Sequence, residues 1–246
     1  MKKILFVLLL ASLSLAACSK DAEKASADTA SIITAWHSEP GFGPSGKPFR
    51  SAAWQLPAGV ELTSGGIHEY SFCTGNSKGN FDYATVKGVP GGVFNVCFEL
   101  RNSTSQPVTI NFPDDLLIQS TNTNYQNGLL MGIGSVTLAA GEAQKVYANA
   151  FCINEKRAVP GAYDYEGNLL SFRFGPGEVP AALKTVTDIA RSKGLTSSHI
   201  TDGSGKKLDY KKMENIGQIQ LAVWEVTSGK GLSPATLALL NSIAVR

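Results

Sequence analysis

This sequence is poor in the residues that usually announce chemistry. Its three histidines, His37, His68 and His199, are far apart, and no His, Cys and acid cluster at zinc spacing occurs, nor a Cys-x-x-Cys, so no metal site is expected. No Gly-x-Ser-x-Gly elbow is present, which removes the hydrolase nucleophile turn. The stretch GFGPSGKP, residues 41–48, comes close to a phosphate-binding loop. Pro48 stands where a magnesium-binding Ser or Thr belongs, and proline would interrupt the first helical turn, so it reads as a plain loop. TDGSGKKLD, residues 201–209, lacks the ordered oxygen ligands of a calcium loop. The pair Asp114-Asp115 sits in a turn, where Asp is expected anyway. Catalytic residues, metal and cofactor are therefore all expected to be none, and the chain is read as no enzyme.

Charge of one sign is lacking too. The 22 basic residues nearly match the 20 acidic ones, and the two in excess, Lys2 and Lys3, belong to the N-terminal leader. Without them the net charge is zero, so no basic field exists to attract nucleic acid. Nor is there an apolar run of the roughly 20 residues that a spanning helix needs. Ile4–Leu10 is followed by a softer stretch containing Ser12 and Ser14, the profile of a charged n-region and a short h-region.

The end of that leader, Leu15-Ala16-Ala17-Cys18, resembles the lipobox of bacterial lipoproteins. The resemblance implies cleavage after Ala17, a signal peptide over residues 1–17, and a mature chain that begins at a lipidated Cys18 and has the membrane as a partner. Several acyl chains on one residue make a lasting anchor, where a single chain binds marginally. Ser19 is not the Asp that retains such proteins at the inner membrane, so the outer membrane of the cell envelope is the expected location. Residues 18–31, polar and without aromatics, suit a flexible tether.

Beyond the tether, many short apolar runs and abundant glycine favour a strand-rich fold. In VFNVCFELRN, residues 93–102, Phe94, Val96, Phe98 and Leu100 alternate with Asn95, Cys97, Glu99 and Arg101, the pattern of a half-buried strand. PVTINF, LLIQS, GLLM, SVTL and QKVYANAFCI follow at turn-separated intervals, and IHEYSFC reads as a strand before them. The expectation is a mainly β domain over residues 32–165, an immunoglobulin-like antiparallel β-sandwich. Residues 166–246 are expected to be a mixed, mostly helical segment packed on it. Helices are expected over Pro180–Lys193, over Tyr210–Val226, and from Ser233, whose hydroxyl can cap a helix beginning with Pro234. In the last of these Leu237, Leu240 and Ala244 are expected to share one side.

With Cys18 taken by lipid, Cys73, Cys97 and Cys152 remain. One disulfide is expected, and three sulfurs leave one over. Cys73 and Cys97 both point away from the aromatic faces of their runs, which makes them the preferred pair; pairing of Cys152 with either is the alternative. A free Cys152 can be a small buried hydrophobe, as its face-mates Val146, Ala148 and Ala150 suggest. Gln220 falls on a helical stripe with Met213, Ile216 and Val223, and an unpaired buried amide costs about 1–3 kcal/mol, so it needs a partner.

Phe151-Cys152-Ile153 and Ile219-Gln220-Leu221-Ala222-Val223-Trp224 resemble the two motifs of thioester domains in Gram-positive surface adhesins. In that family the cysteine sulfur and the glutamine carboxamide condense with loss of ammonia, and the resulting internal thioester captures amines. The resemblance spans these two short motifs, and those adhesins are wall-attached whereas this chain carries a lipobox. Three functions are thus expected in order: a non-catalytic binding module for an envelope or extracellular partner, a covalent adhesin acting through Cys152 and Gln220, and an immunoglobulin-like protease inhibitor.

Overall fold

A computed structural model describes residues 39–74 and 81–245; the lipobox with Cys18, the tether and His37 lie outside the described residues. The strands are β1 (Val60–Leu62), β2 (His68–Glu69), β3 (Phe94–Asn102), β4 (Val108–Asn111), β5 (Asp115–Ser120), β6 (Gly128–Met131), β7 (Ser135–Leu138), β8 (Ala143–Cys152) and β9 (Phe172–Phe174). The helices are α1 (Tyr70–Thr74), α2 (Ala181–Ser192), α3 (Tyr210–Ile216), α4 (Gln218–Thr227) and α5 (Pro234–Ser242). Seven strands form one antiparallel sheet in the order β1-β3-β8-β6-β5-β9, with β2 also paired to β3; β4 and β7 form a separate antiparallel pair.

Because side chains alternate along a strand, the central strands feed two cores. Val146, Ala148, Ala150 and Cys152 of β8 join Phe94, Val96, Phe98, Leu116, Ile118 and Leu130 in one apolar cluster, roofed by Ile110, Val136 and Leu138 of the β4–β7 pair. Phe151 of β8, Leu117 of β5 and Leu129 and Met131 of β6 point the other way and meet Leu183, Val186 and Ala190 of α2 and Ile219, Ala222, Val223 and Val226 of α4. The main sheet is therefore the middle of three layers, and β5 and β6 are buried on both faces. That is why LLIQS and GLLM read as continuous apolar runs rather than as alternations.

The helix ends follow local chemistry. Asp209 accepts hydrogen bonds from the backbone of Lys211 and Lys212 and starts α3, and Ser233 accepts one from Thr236 N–H and starts α5 ahead of Pro234.

Five expectations are corrected. Asp115, read with Asp114 as part of a turn, is the first residue of β5 and is buried. IHEYSFC is not one strand: only His68–Glu69 pairs with β3, and Tyr70–Thr74 turns into a short helix whose start Glu69 holds through a hydrogen bond to Ser71 N–H at 3.0 Å. The helix expected over Tyr210–Val226 is interrupted at Gly217, where Gln220 N–H reaches the carbonyl only three residues back at 3.0 Å. In α5 and just after it the buried stripe is Thr236, Leu240 and Ile243, while Ala244 is exposed. Cys97, read as facing the polar side of β3, is fully buried because β2 and α1 fold over that side.

Candidate functional site

The site is built at the last residue of β8. Cys152 lies opposite Gly128 of β6 in the antiparallel ladder, so no side chain stands beside it on that strand. A Cβ on Gly128 would meet Ile118 Cγ1 at 2.7 Å and Phe94 Cζ at 3.2 Å; those two side chains occupy the space. Cys152 is a free thiol with no solvent exposure. Burial pushes its ionisation far above the ordinary thiol range, because the thiolate would have to exist among apolar neighbours.

Gln220 comes to this cysteine from the first turn of α4. Its Oε1 accepts a hydrogen bond from Cys152 N–H at 2.9 Å, and its Nε2 donates one to the Cys152 carbonyl at 2.8 Å. The planar side-chain amide thus pairs with the cysteine backbone as the peptide of a neighbouring strand would. Gln220 is 3% exposed, and this pairing removes the cost of burying an unpaired amide. It also places the glutamine carboxamide against the one cysteine that has no sulfur partner among the described residues.

A shell of further amides holds the surrounding chain. Asn154 Oδ1 accepts from Asn127 N–H at 2.8 Å, and Asn154 N–H donates to Gln126 Oε1. Trp224, one helical turn beyond Gln220, donates its indole N–H to the same Gln126 oxygen at 3.3 Å. Asn154 Nδ2 donates to the carbonyls of Gly41 and Gly43, and Asn127 Nδ2 to that of Gly41. The GFGPSGKP loop therefore turns carbonyl oxygens inward, the reverse of a phosphate cradle, which needs N–H groups there. Gly43 (φ +52°) is required by closeness, since a Cβ would sit 2.4 Å from the Thr227 carbonyl.

The other residues singled out by sequence fall elsewhere. Cys73 and Cys97 form a disulfide with Cα atoms 6.3 Å apart. His68 is buried between the carbonyls of Leu170 and Ser64, at 3.0 and 2.9 Å from its two ring nitrogens. His199 closes a capping box with Thr196. No group of three metal-ligating side chains occurs among the described residues. Gln126, Asn127 and Asn154 were not singled out from the sequence. The available signal was their position at the ends of the two runs that flank Cys152, YQNG and FCIN.

The contacts between the two residues run through the Cys152 backbone, while its side chain packs with Phe94, Ile118 and Ala150. A condensation of the two side chains would require the sulfur to turn to the Gln220 carbonyl carbon; a C–S bond would then form, the C–N bond break, and the amide nitrogen leave as ammonia with the thiol proton. A primary amine then attacks the acyl carbon, forms an amide and returns the thiol, with no cofactor or oxidant needed. Compared with known proteins, the chain matches no family model, no curated protein and no solved structure.

Proposed function

We propose that this chain is a lipid-anchored protein of the cell envelope whose β-rich domain binds an envelope or extracellular partner and attaches to it covalently through an internal Cys152–Gln220 thioester. The observation that carries the thioester is the proximity set by the Gln220 amide, which hydrogen-bonds both backbone groups of Cys152 although the two residues are 68 positions apart. Burial supports it further: a shielded acyl carbon is protected from water until a partner opens the site. The leader and its Leu15-Ala16-Ala17-Cys18 sequence support the anchor. The β4–β7 pair laid over the main sheet supports an immunoglobulin-like sandwich as the scaffold.

A second reading keeps the binding module without the covalent step. It is favoured by the completeness of the Gln220 hydrogen bonding, which makes the amide a structural clip that needs no reaction. Intact mass of the purified protein separates the two. The thioester gives a mass short by one ammonia, converted by methylamine to the adduct and absent in Cys152→Ala. A full mass with a free thiol at Cys152 leaves only the non-covalent module. Labelled palmitate entering the wild-type protein but not Cys18→Ala tests the anchor independently.

A further inference from the structure

A cavity of about 390 Å³, with neither Cys152 nor Gln220 in its lining, opens between α3, the start of α4 and the end of α5. That volume is in the range of small-molecule sites. Leu195, Ile216 and Ile243 form an apolar lining, and each is at most 7% exposed. Gln218 also lines it, and its Oε1 is buried with no hydrogen-bond partner, a status shared among the described residues only by one nitrogen of Arg157. A buried acceptor without a donor is costly and uncommon in folded proteins.

Two cations stand at the same cavity. Lys212 Nζ is already engaged, donating to the Thr201 carbonyl at 3.0 Å and lying 3.7 Å from Asp209 Oδ2. Lys211 has no ion-pair partner among the described residues. The lining thus offers one unused acceptor, one unused cation and an apolar wall. Its one ring is the imidazole of His199, whose Nδ1 is held by Thr196, and no Phe, Tyr or Trp lines it.

We propose that this cavity binds a molecule carrying one amide N–H, one carboxylate and an apolar side chain: an N-acylated apolar amino acid, either free or as the carboxyl-terminal end of a peptide. The Gln218 amide turns to bring Oε1 into the cavity, where the N–H donates to it; the carboxylate pairs with Lys211, and the side chain packs on Ile216 and Ile243. This site does not depend on the Cys152–Gln220 chemistry.

Titration calorimetry on the full-length protein tests it with N-acetyl-leucine, an acetylated tripeptide ending in leucine, N-acetyl-leucine amide and N-acetyl-N-methyl-leucine. The first two should bind; loss of the carboxylate or of the N–H should weaken binding about tenfold or more, as expected for a lost charged or buried hydrogen bond. Tighter binding of the tripeptide identifies the peptide end as the source, and equal binding identifies the free molecule. Lys211→Gln should erase the difference between acid and amide, and Gln218→Leu the difference between N–H and N-methyl. Gln218→Leu should also raise the melting temperature of the free protein, since it deletes the unpaired oxygen. No binding of N-acetyl-leucine or the tripeptide at millimolar concentration, or binding unchanged in both variants, overturns the proposal.

Discussion

Among the polar groups that tie the helical layer to the main sheet, two use opposite chemistry. At β8, the neutral amide of Gln220 meets the Cys152 backbone with donor and acceptor both matched. At β5, the carboxylate of Asp115, 5% exposed, takes a hydrogen bond from Thr187 Oγ1 at 3.0 Å and pairs with Arg191 of α2. Three favourable partners, Arg191, Thr187 and Lys184, pull the Asp115 ionisation down, yet burial outweighs them and holds it above the ordinary carboxylate value. A neutral amide can be fully satisfied in the interior at little cost, whereas a charge keeps a desolvation penalty even when well paired. Accordingly the charged tie sits near the rim, with Arg191 18% exposed, and the neutral one lies in the interior.

Breaking the neutral tie should have the largest effect. In a Cys152→Ala background, which holds Gln220 in its amide form, Gln220→Leu leaves the N–H and C=O of residue 152 buried and unpaired. At about 1–3 kcal/mol for each group, we expect a loss of roughly 3–4 kcal/mol in urea denaturation. A loss below about 1 kcal/mol would mean that the clip contributes little and that the two ties are not comparable.

Asp115→Ala should cost less, about 2 kcal/mol by the same measurement. Removing one partner of a buried pair is ordinarily worse than that, but Arg191 reaches solvent and keeps its ion pair with Asp188. The smallest effect sharpens the contrast through pH. Because folding raises the Asp115 ionisation, the group's contribution is fully present below the ordinary value of 3.8 and is lost as pH rises through its folded-state value. The stability of wild type relative to Asp115→Asn should therefore increase on acidification from pH 7 toward pH 4. A difference that shrinks with acid would show that Arg191, not burial, dominates the site. The Gln220 tie has no titrating group and should show no such slope.

How far the sequence could be read depended on the range of the interactions involved. The alternation of Val146, Ala148, Ala150 and Cys152, the helix beginning after Pro180 and the Ser233 cap each arise from neighbours within a few residues, and each stands where the pattern placed it. The mismatches arise over distance. Cys97 is buried because β2 and α1 fold over a strand face that is polar by its own pattern. Gly217 interrupts a stripe that is continuous in the sequence. The sequence called for a partner to Gln220 by its place among apolar residues, but the identity of that partner depended on where α4 docks. The shell of Gln126, Asn127 and Asn154 was harder still, since amides in turns carry no periodic signal.

What the chain determines by itself is local: a run of short strands, three capped or punctuated helical stretches, and one cysteine among small apolar neighbours. The tertiary structure decided which groups meet, setting the Gln220 amide on Cys152, the carbonyls of Gly41 and Gly43 on Asn127 and Asn154, and an unpaired Gln218 oxygen in a cavity. The physical reason is that side-chain periodicity records which face of an element is buried, while the partner on that face comes from another element whose position follows only from packing the whole core.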